Sequence, residues 1–138
     1  MAFVHGKNTY FALDNSGGSL TDISAYLNDA SLSRSIETAE TTKFGDDDKE
    51  YIVGLRDATI SLSGMFDSTL DAHIQAVLGQ SATLSWAFAT NGSTPGASNP
   101  VYSGECIVTS YDMSPAVGDV VSVSIELQVT GSITRATS

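Results

Sequence analysis

A chain of 138 residues suits one domain, since folding at that length buries about two-thirds of the unfolded surface around a single core. Six Lys+Arg against sixteen Asp+Glu leave a net charge of −10, which speaks against a protein that grips nucleic acid, because neutralising phosphates takes clustered cations. Only 16% of the residues are charged, and the uncharged polar positions are mostly Ser, Thr, Gly and Asn, which favours strands and turns over helices.

Lys7 to Asp14 alternates around Tyr10, Phe11 and Leu13 and is stopped by Asn15-Ser16-Gly17-Gly18, which predicts a first strand and turn. Ser19 to Asn28, with Leu20, Ile23, Tyr26 and Leu27, fits either extended chain or a single helical turn. Ala30 to Thr38 alternates cleanly, with Leu32 and Ile36 on one face and Ser31, Ser33, Ser35 and Glu37 on the other. Thr41 to Glu50 is polar and acidic and reads as a long loop. Leu55 to Phe66 resumes the strand pattern: Ala58, Ile60, Leu62 and Phe66 share one side, Thr59, Ser61 and Ser63 the other.

Asp67 to Gln80 predicts the one helix. Asp67 or Ser68 can accept from its first free N–H groups, Asp71 suits the positive N-terminal end, and Leu70, Ile74, Val77 and Leu78 form an apolar stripe before Gly79. Ala82 to Thr90 is a strand with Leu84, Trp86 and Phe88 inward, and Asn91 to Pro100 is a surface loop. Tyr102 to Met113 and Val120 to Ile133 are two more strands, joined by a hairpin connection over Ser114–Asp119. In the last strand Val121, Val123, Ile125, Leu127 and Val129 face the core, while Ser122, Ser124, Glu126 and Gln128 face away. Residues 134–138 are expected to form a frayed, flexible tail. The sum is a mainly β chain, an antiparallel β-sandwich or barrel with one flanking α-helix, in a single domain over 1–138.

Three of these strands carry a face of small hydroxyl residues: Ser31/Ser33/Ser35, Thr59/Ser61/Ser63 and Ser122/Ser124. Its charges are the acids Glu37 and Glu126, and by this alternation none of the six basic residues falls on it. A solvated sheet face usually mixes Lys with Glu. Two readings stand: an ordinary solvated face in a Ser/Thr-rich protein, or a water-filled wall that must not grip a polyanion.

Catalytic signals are missing. His5 and His73 have no second His or Cys at metal-ligand spacing, and neither a nucleophile elbow nor a phosphate-cradling Gly loop is present. Cys106, the single cysteine, cannot form an intramolecular disulfide and reads as a buried, inert thiol. Asp46-Asp47-Asp48 lacks the alternation and distal Glu of an EF-hand, and reads as a solvated loop or as a contact for a neighbouring subunit's cations. No cofactor or metal is expected. The N-terminus lacks the charged-then-apolar pattern of a signal peptide, and no stretch approaches the roughly 20 apolar residues of a membrane helix. The expectation is a soluble protein made in a cytoplasm, without a membrane partner.

The stretch Thr21-Asp22-Ile23-Ser24-Ala25-Tyr26-Leu27-Asn28 resembles the early segment of tail tube proteins from long-tailed phages. Glu40-Thr41-Thr42-Lys43-Phe44-Gly45, then Tyr51-Ile52-Val53-Gly54-Leu55-Arg56-Asp57 and Ile60-Ser61-Leu62-Ser63-Gly64-Met65-Phe66-Asp67, is similar to that family's order of loop, Gly-Leu turn and strand before the helix. The resemblance implies hexameric rings stacked into a tube, a virion tail component assembled in the host cytoplasm. The genome and tape measure protein would pass inside, with tail terminator and tail-tip (distal tail) proteins at the ends. It implies that two hairpins, around Ala30–Thr38 with Leu55–Phe66 and Tyr102–Met113 with Val120–Thr130, build the inner wall. Ser31, Ser33, Ser35, Glu37, Thr59, Ser61, Ser63, Ser122, Ser124, Glu126 and Gln128 would then line the lumen. The fourth strand departs, because Glu105, Ile107, Thr109 and Tyr111 make a mixed face. The Thr41–Glu50 loop would meet the adjacent ring, with Thr41, Thr42, Lys43, Phe44, Asp46, Asp47, Asp48 and Lys49 as contacts. Arg34, on the core side of its strand, would reach an acid of a neighbouring subunit. The tube of a contractile injection system or a gene transfer agent shares the fold, and a carbohydrate-binding β-sandwich is the alternative of another class.

Overall fold

The computed structural model describes residues 9–80, 82–115, 117, 118 and 120–137, so the Lys7–Asn8 start of the first predicted strand lies outside the described residues. The strands are β1 (Tyr10–Asp14), β2 (Leu20–Asp22), β3 (Leu27–Glu40), β4 (Tyr51–Met65), β5 (Leu84–Ala89), β6 (Val101–Ser114) and β7 (Ser122–Ala136), with one helix, α1 (Ser68–Val77). All seven strands join one antiparallel sheet in the order β2-β1-β5-β6-β7-β4-β3. The edge strands β2 and β3 are consecutive in the chain, separated only by Ile23 and a 3₁₀ turn at Ser24–Tyr26. So short a link requires the sheet to roll until its two edges approach. Of the expected sandwich and barrel, the chain takes the rolled single sheet.

Both readings of Ser19–Asn28 therefore hold in sequence: extended chain, then one helical turn. Ile23 is fully buried and its N–H donates to the Phe11 carbonyl at 3.0 Å. Ser24 fixes the corner, its hydroxyl accepting from the Phe11 N–H at 2.8 Å and donating to Asp22 at 2.6 Å.

The core gathers inward residues of β1, β4, β5 and β7 with the helix: Phe11, Leu13, Ile60, Leu62, Trp86, Ile125 and Leu127 pack with Leu70, Ile74 and Val77. Burying a side chain of this size contributes about 1.5–3 kcal/mol, which is why the alternating positions dictate which face turns inward. Asp67 caps α1 by accepting from the Thr69 N–H at 2.8 Å, and Gly79, at φ 81°, supplies the left-handed residue just past its end. The helix is shorter than its predicted span, and Leu78, expected in the stripe, lies past the end and is exposed.

Three further expectations change. Phe66 leaves the inward side because β4 ends at Met65, and it is exposed. Ile36 points to the core side by alternation yet is exposed, because no strand backs the hairpin there. The predicted frayed tail is ordered through Ala136, which pairs with Val101.

Candidate functional site

The hydroxyl residues predicted on three separate strands come together as one surface. In register, Ser31 lies opposite Ser61 and Ser33 opposite Thr59, while β7 places Gln128 against Thr59, Glu126 against Ser61 and Ser124 against Ser63. Rows such as Ser33–Thr59–Gln128 and Ser31–Ser61–Glu126 thus cross β3, β4 and β7 without interruption. Ser122 completes the face beside Met65. Ser35 opposes Asp57 just beyond the last row backed by β7, and Glu37 follows it on the same side of β3 by alternation.

The fourth strand, which departed from the pattern in sequence, joins the face through a bulge. Val108 pairs with Leu127 and Ser110 with Glu126, so Thr109 is an extra residue, its hydroxyl donating to the Glu126 carbonyl at 3.1 Å. The alternation of β6 inverts there. Tyr111 turns to the core side and donates its hydroxyl to Asp71 of α1 at 2.8 Å. Ser110, Asp112 and Ser114 turn to the hydroxyl face, opposite Glu126, Ser124 and Ser122. These three were missed in sequence, as was Asp29, which opposes Ser63 after an irregularity at Asn28. The available signal was the second alternation within Ser110-Tyr111-Asp112-Met113-Ser114. The assembled face is hydroxylated and acidic, and no Lys or Arg occupies its rows.

Above this face the β3–β4 hairpin projects. β4 pairs with β7 only from Thr59 to Met65, so residues 35–57 form a two-stranded arm. Its tip is the predicted loop: the Thr41 N–H donates to the Glu50 carbonyl at 2.7 Å and the Glu50 N–H to Thr42 Oγ1 at 2.9 Å. Asp46 accepts from the Lys43 N–H at 2.9 Å, and the Lys43 ammonium lies 3.7 Å from Asp46 and 4.0 Å from Glu50. Lys43 and Asp46 therefore satisfy each other inside the loop, while Phe44, Asp47, Asp48 and Lys49 are exposed. Where the arm leaves β7 it opens a cleft of about 950 Å³, with Arg34, Ile36, Leu55, Arg56, Val129 and Ile133 among its lining. Arg34 sits with its guanidinium 6.0 Å from the Tyr102 ring centre, and neither it nor Arg56 is ion-paired among the described residues.

Of the remaining sequence candidates, His5 lies outside the described residues and the others have structural roles. Cys106 is fully buried, and burial first, then Glu105 and Asp14, push its thiol up to about 12, so it stays protonated. His73 is half-buried, with Nε2 donating to the Asp14 carbonyl at 2.9 Å. Trp86 is buried and offers no stacking platform to a sugar. Among the described residues no three His, Cys, Asp or Glu side chains gather as metal ligands would, and no helix is long and apolar enough to cross a membrane.

Among the described residues several stretches of backbone edge are left open, two of them bounding the β6-β7-β4-β3 sector. Among the described residues the outer edge of β3 pairs with nothing, and β6 pairs with β5 only through Tyr102–Cys106, leaving Ile107–Ser114 unpaired on that side. Long open edges of this kind are templates for pairing with further strands.

No curated protein sequence matches the chain. Its fold is similar to that of a chain in the tail of an empty gene transfer agent particle with C6 symmetry: TM-score 0.78 at 20% identity, covering 94% of this chain and 96% of that one. It is similar to the SPP1 tail tube, at TM-score 0.76, 13% identity and coverage of 99% and 80%. It also resembles a chain of the sheath–tube complex of an extracellular contractile injection system, at TM-score 0.69, 13% identity and coverage of 99% and 93%. The family model for phage tail tube proteins matches residues 3–135. With the rolled sheet, the open edges and this match over almost its whole length, the chain belongs to the phage tail tube protein family.

Proposed function

We propose that copies of this chain close into six-membered rings whose stacks form the tube of a virion tail, with β6, β7, β4 and β3 of each copy supplying one sector of the inner wall. The observation that carries this reading is the unbroken set of rows from Ser31 to Ser110 through Ser61 and Glu126. It runs across the four strands that lie between the two open edges. Pairing β3 of one copy with the Ile107–Ser114 edge of the next removes both edges, and a rotation that closes gives a ring. The six-fold count follows the symmetry of the gene transfer agent tail. Six sectors of four strands at about 4.8 Å spacing give a wall about 37 Å across at the backbone, with room for duplex DNA inside the side chains.

The role is structural, without catalysis. A wall of Ser and Thr with Asp29, Asp112 and Glu126 repels DNA weakly and evenly, so the genome crosses it without deep wells in which to stall. A tape measure protein would fill the lumen before ejection. A heterologous stack leaves both ends open, which calls for a tail terminator at one end and tail-tip (distal tail) proteins at the other. Negative-stain electron microscopy of the purified protein at rising concentration tests the reading. Rings and hollow tubes are expected, and a chain that stays monomeric at every concentration and salt would contradict it.

A further inference from the structure

The pairing of β4 with β7 stops one step short of where its register leads. The Phe66 N–H, just past β4, donates to the Val121 carbonyl at 2.8 Å. Counting back two residues at a time, Gly64 faces Val123, Leu62 faces Ile125 and Ile60 faces Leu127. Ala58 and Val129 are therefore the next residues to turn their N–H and C=O groups toward each other. They do not pair, because side chains hold those groups instead. Asp57 Oδ1 accepts from the Ala58 N–H at 2.9 Å, and Gln128 Nε2 donates to the Ala58 carbonyl at 3.0 Å and the Val129 carbonyl at 3.3 Å. Gln128 Nε2 also donates to Asp57 at 2.7 Å, which ties the two side chains into one unit. Beyond that unit β4 and β7 part into the cleft of about 950 Å³, with Gly54–Ala58 along one side and Val129 and Gly131–Ile133 along the other.

We propose that Asp57 and Gln128 are a stop on the β4–β7 ladder, which keeps the cleft open and holds the β3–β4 arm away from its own β7. Burial alone favours the opposite. Ile36 at 56% and Leu55 at 78% exposure line the cleft with Val129 and Ile133, and bringing the two sides together would remove apolar surface from water. It would also pair two strand edges that are open there among the described residues. The stop wins because the first new pair must displace hydrogen bonds to a carboxylate, which are stronger than the backbone bonds that would replace them. Ala58 and Val129 are both buried, so without Asp57 and Gln128 their backbone groups are best satisfied by each other. The ladder then advances and the arm turns onto β7. This is a property of the single chain and does not depend on the tube reading.

The test uses the full-length chain, dilute enough to be monomeric. Spin labels at Lys49→Cys, in the loop at the arm tip, and Thr134→Cys, on β7, occupy exposed positions, and the buried Cys106 does not compete for label. Adding Asp57→Val and Gln128→Val should shorten the distance between the labels, measured by pulsed electron paramagnetic resonance, by about 5 Å, one strand spacing. In the same double variant the Val129 amide should exchange with solvent about tenfold or more slowly by NMR. Asp57→Asn keeps a side-chain oxygen that accepts both bonds, and it should leave distance and exchange as in wild type. An unchanged distance with unchanged Val129 exchange in the double variant would overturn the proposal. So would a double variant in which the amides of the whole β4–β7 ladder lose protection, since the two side chains would then brace the sheet rather than limit its pairing.

Discussion

Gly64 shows how one residue governs the closure of the sheet. A Cβ built there would overlap the Tyr26 carbonyl oxygen and stand 2.9 Å from the Leu27 Cα, so β4 passes the corner into β3 only because this position has no side chain. Gly64→Ala should cost about 1–3 kcal/mol in urea unfolding, whereas Gly96→Ala, where a Cβ meets nothing within 4 Å, should change stability by less than about 0.5 kcal/mol. Two neutral acids set the alkaline limit. Burial raises the Tyr111 phenol to about 12, helped by its hydrogen bond to Asp71, and burial does the same for the Cys106 thiol. Their ordinary values are 10.0 and 9.0, so the unfolded chain loses these protons first as pH rises. The stability they contribute is complete below about pH 9 and is lost as pH climbs toward 12. Urea midpoints measured from pH 7 to 11 should be flat and then fall, and Tyr111→Phe should shallow the fall above pH 10 relative to wild type.

At the scale of elements, alternation within each strand was legible because burial enforces it: Ala58, Ile60, Leu62 and Val123, Ile125, Leu127 are all buried as their period of two requires. The cap at Asp67 and the bounds of the Thr41–Glu50 loop were legible for local reasons, side-chain oxygens meeting free N–H groups. What alternation cannot reveal is an inserted residue. Thr109 inverts β6, and with it the faces of Tyr111 and Ser110, through a register set against Leu127 and Glu126 of β7. The exposure of Ile36 was equally hidden, since it depends on where β7 stops supporting β4. The arm this creates has an expected consequence. Replacing Thr41–Glu50 by an Asn-Gly turn keeps the β3–β4 register and should leave rings intact while shortening or abolishing tubes, as scored by electron microscopy and sedimentation. Tubes of wild-type length from this variant would remove the loop from the contact between rings.

For the whole molecule, one strand order answers two needs. The four long strands lie side by side with their polar residues on a common face, and the short strands β1, β2 and β5 with α1 complete the core behind them. The edge strands of the four-strand sector are left long and open, a hazard in a monomer and a means of assembly in a ring. Part of the excess of acid, legible from composition alone, lies on the polar face at Asp29, Asp112 and Glu126, while Arg34 and Arg56 line the cleft together with Asp57. The central claim is that the face running from Ser31 to Ser110 lines the inside of a hollow polymer. The most direct measurement is a helical cryo-electron microscopy reconstruction of tubes assembled from the purified chain. It should resolve six-fold rings with Ser31, Ser61, Glu126 and Ser110 at the lumen and β3 of each subunit paired to the Ile107–Ser114 edge of its neighbour. A polymer carrying that face on its outer surface, or one in which these edges remain unpaired, would contradict the claim.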